Sequence, residues 1–74
     1  MDRDDIIIGN IEAIIKQKGY LQKAVAERAG FSEQAFSNML NGRRIIKSQD
    51  IPRIANALGC TVVEIFRMPD EKGA

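Results

Sequence analysis

The chain has 74 residues and a mass of 8.2 kDa; 45% of its residues are hydrophobic and 28% charged, and its net charge is +1. A chain of this size and composition makes one small globular domain, which excludes a disordered polymer, a collagen-like fibre and a coiled-coil rod. Histidine is absent and Cys60 is the single cysteine, which removes a disulfide framework, a zinc cage and the commonest general base, so no metal, no cofactor and no enzymatic activity are expected.

No apolar run reaches the length of a membrane span, and the chain opens Met1-Asp2-Arg3-Asp4-Asp5 rather than with a basic segment. The expectation is a cytoplasmic protein without a membrane anchor or signal peptide. Charge is unevenly placed. Residues 20–53 carry Lys23, Arg28, Arg43, Arg44, Lys47 and Arg53 against Glu27, Glu33 and Asp50, while both ends are slightly acidic. A basic cluster within a near-neutral domain suits a phosphate-binding edge, or equally a solvated surface.

Glycines divide the chain into helical segments. From Asp4 or Asp5 to Lys18 the residues Ile7, Ile8, Ile11, Ile14 and Ile15 recur at three- and four-residue spacing, the pattern of one helical face, and Gly19 ends it. Gly9 costs such a helix about 1 kcal/mol relative to alanine, so its first turn frays or the helix begins at Asn10. A second helix spans Gln22 to Ala29, with Leu21, Val25 and Ala29 pointing inward and Gly30 allowing a sharp exit. Ser32 is then the N-cap of a third helix, Glu33 to Leu40, with Glu33 in its first turn and Phe31 packing against Phe36 as a hydrophobic staple. Asn41-Gly42 stops it and a basic loop runs from Arg43 to Lys47. A fourth helix covers Gln49 to Leu58, capped by Ser48 or by Asp50, the latter giving Pro52 the easier position. Thr61-Val62-Val63-Glu64 has the capping-box pattern for a fifth helix reaching Arg67.

No alternating run supports a sheet, so the fold class is all-α with five short helices. The expected core is Ile11, Ile14, Leu21, Val25, Ala26, Phe31, Phe36, Met39, Leu40, Ile51, Ile54, Ala55, Leu58, Val62, Ile65 and Phe66, with Cys60 as a small buried hydrophobe. Residues 1–6 are expected as an N-terminal segment, 7–67 as the domain and 68–74 as a flexible tail.

The segment Gln22 to Asn41, QKAVAERAGFSEQAFSNMLN, carries the strongest signal. Ala26 stands where two crossing helices leave no space for a longer side chain, and Gly30 opens the turn between them. With Ser32 at the third-helix start and Asn41-Gly42-Arg43-Arg44 after it, the chain resembles the XRE-type helix-turn-helix domains of the phage repressor and Cro family. The resemblance runs from residue 7 to 66, and SQDIPRIANALGCTVVEIF is similar to the family's last two helices. Two positions depart from it. Leu21 stands where the family commonly caps the second helix with Ser or Thr, and Ile45-Ile46 replace a proline and polar residues. These isoleucines either fold back over the core or mark a protein contact, and folding back is the expectation.

What the resemblance implies is a compact five-helix, lambda-repressor-like domain whose helices 2 and 3 form the helix-turn-helix and bind double-stranded DNA. Glu33, Gln34, Ser37 and Asn38 would then face base edges: the amides suit adenine, Glu33 suits cytosine N4, and Ser37 either base or phosphate. Gln22, Ser32, Asn41, Arg43, Arg44 and Lys47 would meet the phosphate backbone, with Lys23 assisting. The expected protein is a transcriptional regulator, a repressor occupying its operator as a homodimer through Val63, Phe66 and Met68, with no small-molecule effector evident. A helical protein-interaction module that does not bind DNA, such as an antitoxin-like partner, is the alternative.

Overall fold

The computed structural model describes residues 3–68. Five helices occur among them: α1 (Arg3–Lys18), α2 (Gln22–Ala29), α3 (Glu33–Leu40), α4 (Asp50–Leu58) and α5 (Val62–Phe66). Residues 69–74 of the expected tail, like Met1 and Asp2, lie outside the described residues.

Local signals fix the middle of the chain. At the end of α2 the Phe31 N–H donates to the Ala26 carbonyl at 2.9 Å and the Gly30 N–H to that of Glu27 at 3.1 Å. This bond pair needs a left-handed residue at the turn, and Gly30 supplies it at φ +84°. The Ser32 hydroxyl oxygen accepts the Ala35 N–H at 3.1 Å and restarts the helix. The Phe31 and Phe36 rings stack with centroids 6.3 Å apart. Thr61 and Glu64 close the expected capping box on α5, although the helix stops at Phe66 rather than Arg67.

α1 is continuous from Arg3. It runs through Gly9 because Ile7 lies one turn from Ile11 on the same face, and both are wholly buried. Distant side chains cap two helix ends. Lys18 Nζ donates to the Leu58 carbonyl at 2.9 Å, and Asn10 Nδ2 donates to the Ile65 and Arg67 carbonyls at 2.6 and 2.7 Å. Each satisfies orphan carbonyls at a helix C-terminus. Together they fasten α4 and α5 to α1.

Several expectations about the core and boundaries need correction. Leu21 is 74% exposed, because it precedes α2 in an extended conformation and its side chain leaves the helical face that carries Val25 and Ala29. Val62 and Phe66 are also exposed. A helix of five residues buries one position against its neighbours, and Ile65 takes it. The core gains Ile7 and Ala57, while Ala29 is buried as expected and Ile46 folds back into the core. Cys60 and Ile14 are half-buried against it rather than within it. Burial and the nearby Glu64 push the Cys60 thiol up, against a smaller opposing effect of Lys18.

Neither expected cap starts α4. Asp50 is its first helical residue, and its buried carboxylate accepts the Lys47 N–H at 3.0 Å instead of an N–H within the helix. Pro52 consequently occupies the third helical position, where no intrahelical N–H bond is lost.

Candidate nucleic-acid interface

The candidate site is assembled around α3. Phe36, Met39 and Leu40 are buried on one side of this helix, which holds the opposite side outward. That side carries Glu33 and Gln34, both exposed, and one turn later Ser37 and Asn38, both half-buried. Positions four apart are neighbours on a helix. Accordingly Gln34 Nε2 donates to Asn38 Oδ1 at 3.1 Å, so the two amides form one hydrogen-bonded pair. Ser32 lies at the entrance with its oxygen engaged by the helix, leaving its O–H as the outward donor.

Beyond α3 the chain doubles back onto it. The Arg43 and Arg44 N–H groups both donate to the Asn38 carbonyl, at 2.8 and 3.2 Å, which holds two guanidinium-bearing residues directly past the helix end. Asn41, Arg43, Arg44 and Lys47 are all exposed. The Arg44 guanidinium lies 5.8 Å from the Phe31 ring centroid, a cation–π contact that ties it to the residue following the α2–α3 turn glycine. The two isoleucines of this loop part company: Ile46 folds back as expected, is wholly buried and anchors the loop in the core, while Ile45 does not and is 70% exposed, since adjacent residues point to different sides of the chain.

Gln22 stands apart from this group. It opens α2 at the end opposite the turn, about 10 Å along the helix by the usual rise. No side chain caps that end and no acidic residue lies in its first turn, so its N–H groups and positive end remain available to an anion. Lys23 is exposed beside it. The structure thus brings Ser32, Glu33, Gln34, Ser37, Asn38, Asn41, Arg43 and Arg44 onto and just past α3, with Lys47 further along the loop and Gln22 at a second point.

Sequence reasoning counts Arg53 only as part of the basic stretch. Its guanidinium lies against the turn between α2 and α3, donating from Nε to the Ala29 carbonyl at 2.9 Å and from Nη2 to the Gly30 carbonyl at 3.0 Å. No residue pattern announces such a role, because the acceptors are backbone carbonyls.

Among the described residues no helix is long and apolar enough to cross a membrane, no cluster of His, Cys, Asp or Glu can hold a metal ion, and no pocket is formed. A family model described as helix-turn-helix matches residues 11–65. The chain is also 34% identical over 71 residues to an uncharacterized HTH-type transcriptional regulator, y4dJ, of Sinorhizobium fredii (strain NBRC 101917 / NGR234). That match covers 96% of this chain and 92% of the relative. No solved structure matches significantly.

Proposed function

Since the chain belongs to the helix-turn-helix family, we propose that it is a sequence-specific DNA-binding transcriptional regulator that occupies its operator as a homodimer and represses by occupying it. The observation that carries this reading is the outward face of α3, where Glu33, Gln34, Ser37 and Asn38 lie opposite a buried Phe36-Met39-Leu40 anchor and are followed by two exposed arginines. In the reading, α3 enters the major groove and its amides and carboxylate meet base edges. Gln22 with the open end of α2, Ser32, Asn41, Arg43, Arg44 and Lys47 grip the flanking phosphates.

Dimerisation supports the affinity that one such small module lacks. Val63, Phe66 and Met68 are 75, 40 and 63% exposed on and just after α5, and burying them between two copies would remove an apolar patch from water. The regulator works in the cytoplasm and needs no cofactor.

Selection of bound duplexes from a random pool tests the reading. Enrichment of a two-fold symmetric site with half-sites about 10 base pairs apart is the expected result. A pool that stays random would leave a protein-interaction module as the better account. An enriched but asymmetric site would retain DNA binding and remove the dimer.

A further inference from the structure

Every side chain assigned to DNA so far lies on the helix-turn-helix or in the loop after it, yet the turn itself is held from outside. Arg53, on α4, reaches the α2–α3 turn with its whole guanidinium. Nε and Nη2 donate to the Ala29 and Gly30 carbonyls at 2.9 and 3.0 Å. Nη1 lies 3.8 Å from Asp50 Oδ1. The guanidinium carbon Cζ sits 4.3 Å from the Phe31 ring centroid. The two carbonyls belong to the end of α2, where acceptors lack helical partners and a positive charge is favoured. A Cβ built on Gly30 would come 2.6 Å from Nη2, so the absence of a side chain there is what admits the guanidinium.

Asp50 extends the contact to the basic loop. Its other oxygen, Oδ2, accepts the Lys47 N–H at 3.0 Å. One network therefore runs from the turn that aims α3, through Arg53 and Asp50, to the loop that carries Arg43, Arg44 and Lys47. We infer that Arg53 is the positioning residue of the interface: a planar clamp from α4 that sets the angle at which α3 leaves the turn and keeps the basic loop in register with it. Nε and Nη2 are engaged by the turn carbonyls, so Arg53 acts through the backbone it holds, and the salt dependence of DNA affinity decides whether the half-exposed side chain also meets a phosphate. Only a planar fork serves all three acceptors at once, and a lysine ammonium does not.

What the pose is used for rests on the DNA-binding reading; the clamp does not, and two measurements keep them separate. The first needs no nucleic acid. In Arg53→Met, which keeps an apolar stem over Phe31, amide hydrogen exchange should quicken about tenfold at Phe31 and Lys47, as expected for loss of a charge-assisted hydrogen bond. The Cys60 amide, bonded to the Ala55 carbonyl at the far end of α4, should keep its rate. Equal acceleration at all three, or at none, overturns the clamp.

The second measurement is DNA affinity well below the melting temperature, on the selected site and on random duplex. Arg53→Met should lose roughly tenfold on the selected site, part of the discrimination of one bidentate base contact, with little loss on random duplex and an unchanged salt dependence. Arg53→Lys should behave like Arg53→Met. Full rescue by lysine, or a flatter salt dependence in Arg53→Met, would make Arg53 a phosphate contact instead. Should the native chain select no site, the DNA-binding reading falls while the exchange rates still decide the clamp.

Discussion

Removing both loop arginines gives the sharpest test of how this domain would meet a duplex. Each protomer exposes three basic side chains in the loop between α3 and α4: Arg43, Arg44 and Lys47. A dimer using all of them neutralises about six phosphates, and at about 0.9 per phosphate the logarithm of affinity should fall with the logarithm of salt at a slope near −5. Between 50 and 200 mM salt such a slope lowers affinity about a thousandfold. Arg43→Ala combined with Arg44→Ala takes away four of the six charges and leaves the Lys47 pair, so the slope should flatten to about −2 and the loss over the same range to roughly tenfold. Fluorescence anisotropy of a labelled duplex, titrated at several potassium chloride concentrations, reads the slope directly. Selected and random duplexes should flatten alike, because phosphates carry no sequence. An unchanged slope in the double variant would take the loop out of the interface.

Gln34→Ala should instead cost about 1–3 kcal/mol on the selected site and almost nothing on random duplex; equal losses on both would end its base-reading role. Within the loop, Ile46→Ala should destabilise the fold by about 2–5 kcal/mol in urea unfolding, since it empties a wholly buried position. Ile45→Ala next to it should stay within about 0.5 kcal/mol, and similar costs for the two would contradict their opposite burial. Acid unfolding should report the α5 cap. The Thr61 N–H donating to Glu64, with smaller help from the Thr61 hydroxyl, Arg67 and Lys18, holds the Glu64 carboxyl below its ordinary value despite some desolvation. Its stabilisation is complete above the ordinary glutamate pKa and is lost as pH falls from there through the depressed folded value. Melting temperatures of the native chain and of Glu64→Gln should therefore converge as pH falls through that window. A constant difference would deny the cap its ionised form.

Helices α2 and α3 were legible in the sequence to the residue because their boundaries are written locally. Gly30 and Ser32 each act within a few positions of themselves, and so does the Phe31–Phe36 pair. The outward face of α3 was legible for the same reason, since helical spacing alone separates Gln34 and Asn38 from Phe36 and Met39. What escaped depends on distant neighbours. The start of α1 turns on the burial of Ile7 across the core, and Leu21 left the core because the residue before a helix does not continue its periodicity. Adjacent Ile45 and Ile46 are indistinguishable by composition, and only packing assigns one to the interior. Arg53 was the least visible of all, because its acceptors lie 24 and 23 residues away and are carbonyls, which every residue has.

The segment between α3 and α4 has no regular structure, yet its backbone is fastened along its length. The Arg43 and Arg44 N–H groups are held on the Asn38 carbonyl, Ile46 is sunk in the core, and the Lys47 N–H is held by Asp50. A free loop would have to be ordered at the moment of binding, at a cost in backbone entropy for each residue fixed. Here folding has already met that cost. Only side chains remain to be ordered, at about 0.5–1.5 kcal/mol each. Arg44 has lost part of that freedom by lying over Phe31, and Phe31 is the same ring that receives Arg53 on its way to the turn. One aromatic ring thus contacts both the loop arginine and the proposed clamp, which gives the charges that would hold the strands and the helix that would read the bases a shared point of attachment.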